Sequence, residues 1–162
     1  FYKIDPNLSI SLESEFANQY SAGGNDALID GIRSTKNYRT GSWQGYHNTD
    51  LVATVDLGRQ KAINTISVNF LQDQGAWIFY PTEVECYVSK DGKNYKALPF
   101  QKINTSERNN DIEIKTVEFK IPTTEYKYVK IIAKKLGKLP EWHLGYPLDG
   151  RSWIFADEIS IN

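Results

Sequence analysis

From residue 50 onward, apolar side chains recur at every second position, and turn residues interrupt them at short intervals. That period places alternate side chains on opposite faces of an extended backbone, so the chain can bury them consistently only as sheet. Strands are expected over 50–57, over 62–71 with Ile66, Val68 and Phe70 on one face, and over 82–89 with Val84, Cys86 and Val88 in phase. A weaker run covers 94–100, and further strands are expected over 111–121, 126–133 and 153–161. Residues 7–12 (NLSISL) read as an eighth strand and 26–30 as a single helical turn. Within 111–121 the phase changes from Ile112 and Ile114 to Val117, Phe119 and Ile121, which predicts a bulge or break near Lys115 and Thr116. No helix-period stripe, low-complexity linker or repeat of roughly 20–50 residues competes with this pattern. The fold class is therefore all-β: an antiparallel β-sandwich, a jelly roll of about eight strands.

A chain of 162 residues, 40% hydrophobic and 24% charged, is long enough for one packed domain and too apolar for disorder. Nineteen basic against twenty acidic residues leave a net charge of -1, which draws the chain neither to nucleic acid nor to an acidic membrane. No apolar run approaches the roughly 20 residues that span a bilayer, and no signal segment opens the chain. Starting at Phe1 and lacking Met, residues 1–162 read as one domain excised from a longer protein. The single cysteine, Cys86, is expected to be a buried thiol, and a disulfide framework or cysteine-based zinc site within the chain is excluded.

The connections are short at 58–61, 90–93 and 122–125, and long at 72–81, 101–110 and 134–152. If successive strands run antiparallel across a sandwich, short and long connections alternate between its two ends, and the long ones share an end with 31–49. Trp43, Trp77, Trp142 and Trp153 lie in or beside that end, as do His47 and His143. Sugars present apolar C–H faces and hydroxyl edges, which flat rings and planar polar groups match. Gln72, Asp73, Gln74 and Trp77 supply both in one loop; Tyr46 with His47 and Trp142 with His143 repeat the pairing, and Arg151 adds a cationic fork. Trp43 and Trp153, hard against strands, are expected to cap the core, whereas Trp77 and Trp142 are expected to be exposed.

In DALIDGIRST, from Asp26 to Thr35, Asp30-Gly31 followed by Thr35 suits a loop that wraps a hard cation, with Glu158 completing the cage; the same residues also fit a helix that simply ends at Gly31. For catalysis nothing selects a carboxylate pair from the acids present, and no nucleophile elbow, HExxH or phosphate-cradling glycine loop occurs. The lysines of YKYVKIIAKKLGKL read as a solvated strand face.

The segments LIDG, WQG, DLVATVDLGR, ISVNF, PTEVECYVSKDGKNY, YVKIIA and WIFADEISI, in that order, resemble the coagulation factor 5/8 type C (discoidin) domain, and within it the family-32 carbohydrate-binding modules. FLQDQGAWIFYPTEVE and PEWH further resemble the C-terminal module of bacterial β-N-acetylhexosaminidases of the chitobiase type. The resemblance implies a galactose-binding-domain-like jelly roll with a structural calcium ion. Its ligands would be the carbonyls of Ala27 and Ile32, the Asp30 carboxylate, the hydroxyl and carbonyl of Thr35, and Asp157 or Glu158. An acid or amide is frequent where Ile32 stands, and extra residues before Trp43 make Thr40 a rival of Thr35. The domain would be a monomeric noncatalytic module of a secreted, periplasmic or cell-surface glycosidase. It would bind a galactose, N-acetylglucosamine or N-acetylgalactosamine glycan and be covalently linked to the catalytic domain, with no nucleic-acid or membrane partner. Two alternatives stand beside it: a lipid-binding or adhesion domain with Trp77, Ile78 and Phe79 as an apolar spike, and a structural domain that only packs on its catalytic neighbour.

Overall fold

The structure, a computed structural model, describes residues 5–162; Phe1 lies outside the described residues. Eight antiparallel strands form the body: β1 (Ser9–Leu12), β2 (Gln44–His47), β3 (Leu51–Gln72), β4 (Glu83–Ser89), β5 (Tyr95–Ala97), β6 (Gln101–Lys102), β7 (Glu113–Lys134) and β8 (Trp153–Ile161). The path of neighbours is β2-β8-β3-β7-β4-β5, with β1 on β3 and β6 on β4. The all-β sandwich read from the alternation is borne out.

The short connections at 58–61 and 122–125 are not turns between separate strands. β3 and β7, 22 residues each, stay paired from Leu51↔Ala133 to Gln72↔Glu113, with register shifts between Asp56/Lys61 and Ile63/Thr65. Surplus residues bulge out there and let the paired strands bend together from one layer into the other. Gly58 fits the bend because its φ of +81° suits glycine and a Cβ would come within 2.8 Å of the Asn7 carbonyl oxygen. Asp56 Oδ1 accepts the Gly58 N–H at 2.8 Å.

Folding the ladder over lets its two halves share one core. Leu51, Ala53 and Val55 from the first half of β3 join Ile66, Val68 and Phe70 from the second, with Val84, Cys86 and Val88 of β4 and Val129 and Ile131 of β7. A second cluster of Trp43, Leu71, Ile78 and Phe155, with Ile114 packed against it, accounts for the change of phase in β7. Leu71 pairs with Ile114 in an unbroken register, so the expected bulge near Lys115 and Thr116 is absent. Ile114 leaves one apolar cluster for another, and Ile112 precedes the strand and is exposed. Trp43 is fully buried, as expected, and its indole N–H donates to the Thr35 carbonyl at 2.7 Å.

The long connections do meet at one end. His47 pairs with Trp153, the Asn48 N–H donates to the Ser152 carbonyl at 3.0 Å, and the Lys135 N–H donates to Asp50 Oδ1 at 2.9 Å. Residues 31–34 depart from the expectation: the Gly31 and Ser34 N–H groups donate to Glu158 and Asp157, beyond the Trp153 end of β8.

Cys86 is a buried thiol, and burial pushes its pKa up from 9.0 to about 12. Its contribution to stability is thus complete below pH 9 and is lost as pH rises from about 9 toward 12. Native protein at pH 8 should leave the thiol untouched by an aromatic disulfide reagent, and denatured protein should titrate one thiol per chain. Rapid modification of the native protein would contradict this packing.

Candidate functional site

A cavity of about 220 Å³ opens among three of the long connections. The first contributes Gln74, Gly75 and Trp77, the second Arg108 and Asn110, and the third Trp142, His143 and Leu144. In the first loop Asp73 and Ile78 exchange backbone hydrogen bonds around a single 3-10 turn, Gln74–Ala76. Trp77 follows in the left-handed region at φ +67°, a conformation that a bulky residue adopts only when its surroundings hold it there. Its carbonyl accepts the Trp153 N–H at 2.8 Å, and its ring lies against Gly145 and Gly150, where an added Cβ would sit 2.9 Å from the indole.

Two buried polar side chains lock the loops together. The Gln74 amide donates to the Glu107 carbonyl and accepts the Asn109 N–H, both at 2.8 Å, so it grips the backbone on either side of Arg108. His143 Nδ1 accepts the Gly145 N–H at 2.9 Å, which makes Nε2 the donor to the Gln74 carbonyl 2.6 Å away and the ring the neutral tautomer. The Trp142 indole donates to the Ser106 carbonyl at 3.0 Å.

Of the residues read as sugar contacts, Gln74, Trp77, Trp142 and His143 meet at the cavity; Trp142 is exposed there, as expected, whereas Trp77 is half-buried because its ring packs on Gly145 and Gly150, and it shows the cavity only part of its surface. Gln74 and His143 are buried with their polar atoms bonded to backbone, so they build the cavity wall rather than reach into it. Gln72 is likewise buried, its amide donating to the Asp111 carbonyl at 3.1 Å. Tyr46 lies fully inside the core with its hydroxyl on Gln44 Oε1, which removes it from the rim. His47 is exposed but stacks on half-buried Trp153, centroids 4.6 Å apart, away from the cavity lining. Asp73 also lies outside that lining, and Arg151 is paired with Asp149 at 3.2 Å. The apolar spike does not form: Ile78 and Phe79 are each 1% exposed and packed inward. Arg108, Asn110 and Leu144, the last 92% exposed, were not singled out from the sequence. The alternation of connections had placed 101–110 at this end, but that loop carries no aromatic residue to draw notice.

A second polar centre lies where residues 26–35 meet β8. Glu158 accepts the Gly31 N–H at 3.1 and 3.2 Å, Asp30 Oδ1 accepts the Ile32 N–H at 2.8 Å, and Asp157 Oδ2 accepts the Ser34 N–H at 2.7 Å. Burial, and next the Asp30 carboxylate, pushes Glu158 up to about 8; burial likewise raises Asp30 and Asp157. Asp157 Oδ1 is buried with no hydrogen-bond partner. This concentration of acids favours a cation, with Arg33 offsetting it in part. Among the described residues no three acid, histidine or cysteine side chains are arranged to hold a metal, so a bound ion would depend on backbone carbonyls and a hydroxyl as well. The Thr35 hydroxyl accepts a long 3.4 Å bond from the Asn37 N–H. The Thr40 hydroxyl donates to the Asn37 carbonyl and lies 3.1 Å from Ser34 Oγ.

Replacing Gln74 by Ala strands the Glu107 carbonyl and the Asn109 N–H. The expected loss is about 2–3 kcal/mol, or roughly 4–12 °C in Tm for a domain of this size. A melting curve that superimposes on the parent's would show that the amide does not hold the loops.

The family model described as F5/8 type C domain matches residues 9–154. No curated protein matches the chain in sequence. Among solved structures, the Clostridium perfringens module CpGH89CBM32-5, in complex with GalNAc-β-1,3-galactose, is similar at 23% identity and TM-score 0.54, covering 96% of this chain and 94% of that one. The family 32 module of C. perfringens NanJ, in complex with galactose, is similar at 18% and 0.55, covering 96% and 93%. Chitosan-binding module 1 of a Paenibacillus sp. IK-5 chitosanase/glucanase is similar at 14% and 0.57, covering 100% and 99%. At these identities the likeness to the solved structures is one of fold.

Proposed function

From membership of the F5/8 type C domain family, to which the chain belongs, we propose that this domain is a noncatalytic module that binds one sugar residue in the cavity between Trp77 and Trp142. The observation that carries the reading is the combination of two indoles with Arg108 and Asn110 on loops that buried polar groups already hold in place. Indole faces take the apolar side of a pyranose, and the guanidinium and amide take its hydroxyls. The cavity is smaller than the roughly 300–1,000 Å³ of sites that enclose drug-sized ligands, which suits a single ring. No carboxylate lines it, so no acid and base flank a sugar held there.

Two of the solved structures named above support this reading through the sugars they are in complex with, GalNAc-β-1,3-galactose and galactose. The FLQDQGAWIFYPTEVE and PEWH segments support a secreted β-N-acetylhexosaminidase of the chitobiase type as the parent protein, which the module would hold on its glycan. A shallow site of this kind works at about millimolar Kd, roughly -4 kcal/mol, through tethering. Titration with galactose, N-acetylglucosamine and N-acetylgalactosamine should show saturable binding, abolished in Trp142→Ala and retained in His47→Ala. Retained binding in the Trp142 variant would move the site elsewhere, and no binding of any sugar would sink the reading.

We also propose that calcium occupies the centre formed by Asp30, Asp157 or Glu158, the hydroxyl and carbonyl of Thr35 and the carbonyls of Ala27 and Ile32, with the unpartnered Asp157 oxygen as the supporting observation. The ion would tie the 26–35 segment to β8 and supply the positive charge these acids lack. An ion at 100 times its Kd adds about 2.7 kcal/mol, so a chelator should lower Tm by roughly 5–11 °C. Glu158→Gln should lower Tm with calcium present and raise it in chelator, because without the ion both burial and the neighbouring Asp30 disfavour the charge of that carboxylate. A Tm indifferent to both chelator and calcium would remove the ion from the reading.

A further inference from the structure

We infer that the cavity is built for a sugar that carries a carboxylate, held by the Arg108 guanidinium; the inference rests on the sugar-binding reading and narrows it to acidic sugars. Arg108 is exposed at the cavity, and among the described residues it makes no ion pair or hydrogen bond. Arg151, the other arginine in the long loops of this rim, is already paired with Asp149. No acidic side chain lines the cavity to neutralise Arg108, and His143 stands there as a neutral ring because its Nδ1 accepts a backbone N–H.

What distinguishes Arg108 from an ordinary surface arginine is how its backbone is held. Gln74 bonds the Glu107 carbonyl immediately before it and the Asn109 N–H immediately after it. Trp142 bonds the Ser106 carbonyl one residue further back, and Asn109 Oδ1 accepts the Asp111 N–H at 2.9 Å. With the Gln72 amide on the Asp111 carbonyl, five hydrogen bonds pin 106–111, four of them from the two chain segments that bear the indoles, so the base of the Arg108 side chain is fixed relative to Trp77 and Trp142. A guanidinium placed this way presents a planar fork beside two flat platforms. A neutral hydroxyl uses one prong of such a fork, whereas a carboxylate takes two parallel N–H···O bonds and cancels the charge. A hexuronic acid stacks its ring as a neutral hexose does and adds the planar anion at its edge. Asn110, beside Arg108 in the lining, remains for a ring hydroxyl.

The test is calorimetric titration of the whole chain with methyl galactoside and methyl galacturonoside, and with the glucose and glucuronate pair, at low and moderate salt. N-acetylneuraminate and a galactose sulfate ester are further arms, the second to separate a planar carboxylate from any anion. The uronates should bind about tenfold more tightly than their neutral partners, and the ratio should shrink as salt rises. Arg108→Gln should bring the ratio to about one, with an unchanged circular dichroism spectrum and Tm showing that the fold is kept. Equal or weaker binding of the uronates overturns the inference while the sugar-binding reading stands. A uronate preference that survives Arg108→Gln overturns the assignment to Arg108, and a sulfate ester that binds as tightly as the uronate overturns the carboxylate specificity. If none of these sugars binds, both readings fall.

Discussion

Two long strands that stay hydrogen-bonded to each other while bending through a corner decide where everything else in this molecule goes. The ladder between Leu51–Gln72 and Glu113–Lys134 has two ends, one at Leu51↔Ala133 and one at Gln72↔Glu113. Because the paired strands double over near Gly58 and Pro122, both ends arrive at the same side of the sandwich. The chain leaving or entering each of those four strand ends therefore emerges on one rim. That is why the connections after Gln72, before Glu113, after Lys134 and before Leu51 are neighbours, and why the bends lie at the opposite end. The core follows from the same geometry, since the fold-over sets Val55 and Val68, from one strand, in a single apolar cluster.

Gathering three loops on one rim creates a difficulty that the rim itself has to solve. Irregular backbone brought together and partly buried carries N–H and C=O groups without a ladder to satisfy them. Gln74 and His143 answer this need, with every polar atom of the Gln74 side chain and both ring nitrogens of His143 directed at backbone groups. Gly145 and Gly150 solve a steric version of the problem by leaving room for the Trp77 ring. The outcome is a cavity whose shape does not wait for a ligand, which matters most where binding is weak, because ordering loops on binding would consume much of the available free energy.

The alternation of apolar residues made the layers, the buried cysteine and the aromatic rim legible in the sequence. It misled where one pattern serves two geometries. Gly58 and Pro122 belong to bends of a continuous ladder, yet the same residues would suit true turns. The switch from Ile114 to Val117 looks like a slipped register, yet the strand is regular and a second cluster around Trp43 and Phe155 covers its other face. A linear pattern shows that two faces alternate without showing that both are covered. The polar candidates failed for a related reason. An amide or imidazole in a loop can serve a ligand or the backbone, and for Gln72, Gln74 and His143 the buried backbone had the stronger claim. Nothing in the sequence marks Arg108 and Asn110, because their loop carries no aromatic ring.

The net charge of -1, which on composition argues against any electrostatic partner, averages over two centres of opposite sign. Asp157 and Glu158 stand four and five residues along β8 from Trp153, whose N–H bonds Trp77 at the edge of the cavity. At about 3.3 Å per residue that separation is roughly 13 Å, and because Coulomb energy falls with distance a charge in direct contact outweighs acids that far along the strand. A ligand in the cavity therefore feels the guanidinium beside it far more than the acids farther along the strand. The acids in turn remain free to attract a cation without weakening the rim. Whole-chain charge governs encounters at long range, but at a site lined by one cation and no carboxylate it is the local count that selects the ligand.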